Sequence, residues 1–358
     1  MKIFVIPREN NNPYQSILYK EMAELGIQVA YGCVLTTSQT LNQLLLPLET
    51  LARRITGTRL VHIHWTYGFE IYGSSRFPFL RRFSQAWFYL WLWVVHASGM
   101  RMVWTAHNVL PIGPRFTDDV AARRRLVAAS DLVISHSQAT LAELASLGIV
   151  PRKSVVIPHG PYQVVNDQEQ LRVPGATPGP RKFLFFGMVS EYKGIDTLLG
   201  AFAALPPDAE AELMVVGECR EPALEASLRD LARRSRQRVQ LRLERVPEPE
   251  VSRLLEGADV MVLPYRQSST SGSALLALTH GRPLIVPDLP GLAELPEEAA
   301  LRYDRTVEGL TSALVDLIGA EADALAKMSN AGYAYCASLS WESIARKTVD
   351  EMNQTFET

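Results

Sequence analysis

The sequence predicts an α/β protein of two tandem doubly wound, Rossmann-like domains facing a cleft. Three observations carry that expectation: apolar runs alternate with segments of helical period in two successive series, a Pro/Gly-rich break separates the series, and 358 residues exceed what one ordinary core organises. In the first series the strand-like runs are Lys2–Ile6, Val29–Leu35, Leu60–Trp65, Met102–Thr105, Leu132–Ser135 and Val155–Ile157. Alternation of this kind marks a parallel sheet with helices on both faces. The break at Gln163–Pro180 ends in Val-Pro-Gly-Ala-Thr-Pro-Gly-Pro, a linker composition. Beyond it come Phe183–Phe186, Glu212–Val216, Gln240–Leu243, Val260–Leu263 and Leu284–Val286, spaced by helices such as Ala223–Arg233 and Glu248–Glu256. The expected domains are therefore 1–165 and 178–338. A serine-capped helix closes the chain at 339–358, its apolar positions including Ile344, Ala345, Val349 and Met352.

A net charge of −2 provides no overall basic field for nucleic acid. Cys33, Cys219 and Cys336 lie far apart, with neither disulfide-like nor metal-like spacing, which fits a reducing compartment. The first strand runs straight into a polar loop without the apolar core of a signal peptide, so a cytoplasmic protein is expected. One segment, Ser84–Met100, has no formal charge and contains Trp87, Trp91 and Trp93, with Arg76, Arg81, Arg82 and Arg101 around it. It is short for a spanning helix, which needs roughly 20 apolar residues. Two readings stay open: peripheral contact with an anionic membrane surface on its inner face, or a helix buried between sheet and neighbours.

The strand-to-helix junction Tyr265–Pro283 places Ser271, Gly272 and Ser273 at the start of an apolar helix. Free backbone N–H groups and a positive dipole end there suit a diphosphate. Upstream, Gly187 ends a strand and Lys193 begins a helix, adding close backbone approach and a point charge for phosphate. Gly217 and Glu294 follow two further strands, where a base or ribose would rest. In the first domain, imidazole at a strand's carboxyl end bonds sugar hydroxyls or moves a proton near neutral pH. His107 is the leading catalytic candidate on this ground, with Asn108 and His64 beside it as acceptor contacts; the bland role is a histidine that ties two loops together. The glycine-poor loop with Asn11, Asn12 and Tyr14 is suited to the hydroxyls of an acceptor. Asp119 offers a carboxylate for general-base work, or simply starts a helix. His62 and His64 share a strand face, but no third ligand stands at a telling spacing, so no metal site is expected.

Tyr192–Gly194 (Tyr-Lys-Gly), Ile157–Gly160 (Ile-Pro-His-Gly) and Gly281–Pro283 (Gly-Arg-Pro) resemble, in order and along nearly the whole chain, the group 1 glycosyltransferases of GT-B fold. Within that group, Asn12–Tyr14 (Asn-Pro-Tyr), His62–Trp65 (His-x-His-Trp), His107–Pro111 (His-Asn-x-x-Pro) and Ser271–Leu278 resemble the bacterial β-mannosyltransferases of xanthan assembly. The resemblance implies a nucleotide diphosphate sugar as donor (GDP-mannose or a UDP-sugar), a sugar acceptor carried on a lipid, surface-glycan assembly, no cofactor and no metal. It implies a terminal helix that packs back on the first domain. Retaining members have a Glu-x7-Glu pattern whose positions are Ser268 and Leu276 here, and Met188 stands where they have an arginine; inversion is therefore slightly favoured over retention. A nucleotide-sugar epimerase and a non-catalytic sugar-nucleotide-binding protein remain as alternatives. A dinucleotide oxidoreductase does not, because no Gly-x-Gly-x-x-Gly follows either first strand.

Overall fold

The structure, a computed structural model, describes residues 1–9, 12–66, 69, 71–74, 77–111, 113–162, 173–268 and 271–356. Asn11, Arg76 and positions 163–172 of the expected linker lie outside the described residues. The chain divides into two compact units, Met1–His159 with Ser340–Thr358, and Gly160–Leu339.

The first unit runs β1 (Lys2–Ile6), α1 (Tyr14–Glu24), β2 (Gln28–Tyr31), α2 (Gln39–Ile55), β3 (Leu60–Ile63), α3 (Pro78–Ala97), β4 (Arg101–Ala106), α4 (Asp119–Ala129), β5 (Leu132–Ser135), α5 (Gln138–Ser146) and β6 (Ser154–Val156). The second runs β7 (Arg181–Phe186), α6 (Ile195–Ala203), β8 (Ala211–Val216), α7 (Pro222–Ala232), β9 (Arg238–Arg242), α8 (Glu248–Gly257), β10 (Val260–Val262), α9 (Gly272–Thr279), β11 (Leu284–Pro287), β12 (Ala300–Tyr303), α10 (Val307–Ile318) and α11 (Ala322–Ser338). Helix α12 (Trp341–Phe356) then joins the first unit.

Both sheets are parallel throughout, in the orders β2-β1-β3-β4-β5-β6 and β12-β11-β10-β7-β8-β9. Each order reverses once, between β1 and β3 and between β7 and β10. Helices leave opposite faces on the two sides of such a switch point, so a crevice opens beyond the strands' carboxyl ends. Both groups of polar residues described below sit at such ends.

Strand periodicity sorts the first unit's core into two layers. Phe4, Ile6, Val61, Ile63, Met102, Trp104 and Val133 face one side, under Phe88 and Trp91 of α3 and Leu126 of α4. Ile3, Val5, Leu60, Val103, Leu132 and Ile134 face the other, against Leu18 and Met22 of α1 and Ile344, Val349 and Met352 of α12. Full burial of one such side chain contributes about 1.5–3 kcal/mol, so this packing fastens α12 to the first unit. Lys347 Nζ adds a bond to Val156 O (3.0 Å) and Lys153 Nζ one to Thr355 Oγ1 (2.9 Å).

Strand β2 stops at Tyr31, short of Leu35, because the chain turns at Gly32 and Cys33, the latter at φ 62°. Strand β12 has no counterpart in the sequence reading. Its four residues include Arg302, whose guanidinium donates to Leu292 O and Leu295 O, so a charge interrupts the apolar run that would have marked it.

Candidate functional site

In the second unit the candidates come together at the β7/β10 switch point. Ser271 caps α9, accepting from Ala274 N–H at 3.1 Å, and lies 3.4 Å from the Tyr265 hydroxyl. The Lys193 ammonium stands 3.7 Å from the centroid of the Tyr265 ring and 4.9 Å from that of Tyr192. Burial opposes both ionised forms of this pair. It is outweighed on Tyr265 by the Lys193 charge and by bonds from Ser271, Ser273 and Lys193, which hold the phenol below its ordinary value. On Lys193 it is outweighed by Tyr265 and Tyr192, which raise the ammonium. Lys193 is therefore cationic at neutral pH.

Ser273 meets the turn after β7: a Cβ on Gly187 would lie 3.2 Å from its Oγ. Gly217, after β8, has φ 150°, and a Cβ there would sit 1.8 Å from Gly187 O, so only glycine lets the two loops touch. Gly272 is pressed by Tyr162, whose hydroxyl would be 2.6 Å from an added Cβ. Burial, with Tyr265 second, pushes the Tyr162 phenol up to about 12. The Gly-x-Pro segment holds the far end of α9: buried Arg282 donates to His280 O and Ala258 O, each at 2.9 Å. Glu294, after β11, is exposed; its charge acts on Tyr335, which burial raises first and Cys336 and Glu294 raise further.

In the first unit five of the seven histidines gather at the ends of β3, β4, β5 and β6, on the face covered by α1. Four of them form one hydrogen-bonded chain with Tyr19 and Thr105. The contacts are Thr105 Oγ1 to His62 Nε2 (2.7 Å), His62 Nδ1 to Tyr19 Oη (2.7 Å), Tyr19 Oη to His64 Nε2 (2.7 Å), His64 Nδ1 to His107 Nε2 (3.0 Å), His107 Nδ1 to His136 Nε2 (3.3 Å) and His136 Nδ1 to Ile157 O (2.9 Å). All four rings are buried. Burial draws His62 and His136 down to about 3 and carries His64 and His107 well below the ordinary histidine value, the neighbouring histidines adding to it for all but His62. The rings are neutral.

Neutrality and one carbonyl then fix every proton. Ile157 O only accepts, so His136 carries its proton on Nδ1 and accepts at Nε2; His107 must donate from Nδ1 and accept at Nε2 from His64. His64 accepts in turn from the Tyr19 hydroxyl, which accepts from His62 Nδ1–H, and Thr105 donates to His62 Nε2. The chain thus has one consistent direction, and His107 keeps a lone pair on Nε2. Around it, Tyr14 is edge-on to His64, His107 and His136 and tilted against His159, while Trp65 stacks on His107 at 4.3 Å and 16°.

The other first-unit candidates do less in common. Asn12 Oδ1 accepts from Tyr14 N–H at 2.9 Å and so starts α1. Asn108 is exposed. Asp119 accepts from the amides of Phe116 (3.0 Å) and Arg115 (3.2 Å) and thereby holds the loop before α4. Among the described residues no group of three His, Cys, Asp or Glu side chains is placed to hold a metal ion; His64, His107 and His136 bond in series, and His62 joins them through Tyr19. Sequence reasoning missed Tyr19, Thr105, His159, Tyr162 and Tyr265 as site residues. His159 and Tyr265 did lie inside segments that drew attention, whereas Tyr19 sits mid-helix with no local mark.

Residues 180–350 match the family model described as "Glycosyl transferases group 1", and residues 18–161 match "Glycosyltransferase Family 4". The chain is 26% identical over 321 residues, 88% of its length and 82% of the relative's, to a GDP-mannose:glycolipid 4-beta-D-mannosyltransferase of Xanthomonas campestris pv. campestris. Among solved structures it is similar to the sucrose-phosphate synthase of Thermosynechococcus elongatus, with a TM-score of 0.72 and 18% identity over 99% of both chains. It is also similar to Anabaena Alr3699/HepE in complex with UDP-glucose, with a TM-score of 0.67 and 15% identity over 99% of both chains. Both units therefore match glycosyltransferase domains, and the chain belongs to the group 1 glycosyltransferases of GT-B fold.

Proposed function

We propose that this glycosyltransferase moves a hexose, mannose from GDP-mannose in the first instance, to the sugar of a lipid-linked acceptor, with inversion and without a metal or cofactor. The observation that carries the reading is the convergence of Lys193, Tyr265, Ser271 and Ser273 at the amino end of α9, beside the Gly187 and Gly217 loops. A departing nucleoside diphosphate gains negative charge as the sugar C1–O bond breaks. A cation and the amides of a helix's first turn at that position stabilise the charge where it develops. The Xanthomonas relative, named for GDP-mannose and a glycolipid, supports mannose and a lipid acceptor.

The acceptor hydroxyl oxygen attacks C1 while its proton passes to a base, and His107 is assigned that part. Its Nε2 lone pair already accepts a proton donor, His64 Nδ1–H, and an acceptor hydroxyl that replaces His64 meets the tautomer a base needs. The proton gained is shared toward His136, whose own Nδ1–H rests on Ile157 O.

Lys193→Ala is expected to weaken GDP or UDP binding by about 1–3 kcal/mol through loss of a charge-assisted bond, read by titration calorimetry. Unchanged affinity for both nucleotides would remove the diphosphate from this position. His107→Ala is expected to lower kcat roughly 10²-fold or more with little effect on nucleotide affinity. Near-normal turnover in a folded variant returns His107 to a purely structural place in the chain.

A further inference from the structure

His136 follows β5 directly, and the turn that carries it is tied down on both sides. Ser135 Oγ donates to Ser137 O at 2.7 Å and accepts from Ser137 N–H at 3.3 Å, while Ser137 Oγ accepts from Thr140 N–H at 3.1 Å and caps α5. On the β6 side Ile157 N–H donates to Ser135 O at 2.8 Å, which continues the ladder and brings Ile157 O to 2.9 Å from His136 Nδ1. The ring is buried and packs against Tyr14 (5.2 Å), His107 (4.9 Å) and His159 (5.3 Å). Its second nitrogen, Nε2, faces His107 Nδ1.

A carbonyl oxygen has no proton to give, so the imidazole that bonds Ile157 O holds its proton on Nδ1 and turns a lone pair to His107. The other tautomer would set a lone pair against the carbonyl and an N–H against the His107 N–H, at the cost of two buried hydrogen bonds. In a Ser-His-Asp triad a buried carboxylate fixes the tautomer of the catalytic imidazole and also stabilises its imidazolium. Here the first task is done without the second. The titratable groups around His107 are His62 and His64 at the end of β3, His136 after β5, His159 after β6 and Tyr14 of α1. These are imidazoles and a phenol, and none brings a negative charge at neutral pH.

We propose that His136 is the positioning residue of the His107 base, a neutral imidazole anchored on a backbone carbonyl where a triad has a carboxylate. The inference rests on the assignment of His107 as base and adds a property to it. As the acceptor oxygen bonds C1, its proton moves to His107 Nε2, and the His107 Nδ1–H leans toward His136 Nε2. No counter-charge holds the imidazolium, so the proton is lost to water as product leaves and His64 Nδ1–H returns to the lone pair. Turnover is then insensitive to pH around neutrality, because the resting base is already neutral there.

The first test needs no turnover. Long-range proton–nitrogen NMR on the full chain with isotope-labelled histidine, assigned with His107→Ala, is expected to show His107 protonated at Nδ1 and bare at Nε2. His136→Gln, whose side-chain oxygen reaches the place of Nε2, keeps that form, whereas His136→Leu offers no acceptor and gives a mixture of tautomers. In mannose transfer from GDP-mannose, His136→Leu should lower kcat roughly 10²-fold with the donor KM little changed, and His136→Gln should restore most of it. His136→Glu sets a carboxylate on His107 Nδ1–H, so the ratio of turnover at about pH 6 to that at about pH 8 should fall at least about threefold against the wild type, with the His136→Gln ratio unchanged. Melting transitions verify that each variant is folded under assay conditions. A wild-type His107 protonated at Nε2 overturns the proposal, as does equal kcat in folded His136→Leu and His136→Gln. Near-normal turnover in His107→Ala would instead remove the base itself and leave the tautomer result standing.

Discussion

Unfolding free energy should fall steeply between pH 7 and pH 5, with more than one proton taken up as the first unit unfolds. His62 and His136 have folded values of about 3 against about 6.5 in an unfolded chain. A depressed value means that the unfolded state binds the proton more readily, so stability is complete above about pH 6.5 and is lost as pH falls toward the folded value. Each of the two should cost about 2 kcal/mol at pH 5 relative to neutrality, and His64 and His107, shifted in the same direction, add to it. Such a sum is a large part of the roughly 5–15 kcal/mol that holds a domain together. Among the described residues no carboxylate bonds to the chain to offset the charge; its partners are imidazoles, Tyr19, Thr105 and Ile157 O. Urea titrations at a series of pH values measure the slope. Uptake of less than one proton over that interval would contradict the neutral chain.

The second large effect is expected at Gly217. Gly217→Ala places a Cβ 1.8 Å from the Gly187 carbonyl oxygen at φ 150°. Backbone strain of about 1–3 kcal/mol and a forced separation of about the same size together predict destabilisation of roughly 2–6 kcal/mol, with weakened nucleotide binding as the two loops part. Gly113→Ala is the comparison: φ is also positive, at 77°, but an added Cβ meets nothing within 4 Å, so only the backbone cost applies. Equal losses in the two variants would show that contact between the β7 and β8 loops contributes nothing.

The fold was legible because strands covered on both faces read as nearly unbroken apolar runs, and β1, β3, β4 and β5 fall where such runs do. Strand β12, crossed by Arg302, escaped the same test. At the donor site the small residues carried the signal: Ser271, Gly272 and Ser273 before an apolar run describe a helix start locally. Tyr162 lies far from them in sequence and has no such signature. The histidine chain was half legible. Period 2 places His62 and His64 on one face, but their link is Tyr19 of α1, more than forty residues away, and only tertiary packing chooses it.

The central claim is transfer of a hexose from a nucleotide diphosphate sugar to a lipid-linked acceptor, and the most direct measurement follows the sugar itself. Purified protein is incubated with radiolabelled GDP-mannose, and in parallel with UDP-glucose, in the presence of lipid-linked oligosaccharide extracted from bacterial membranes, and the label is partitioned between organic and aqueous phases. The account predicts mannose label in the organic phase, one GDP released for each sugar transferred, and a lower yield of both with Lys193→Ala at sub-saturating donor. GDP release without label in any lipid, or no turnover of either donor by protein that binds nucleotide, would contradict it.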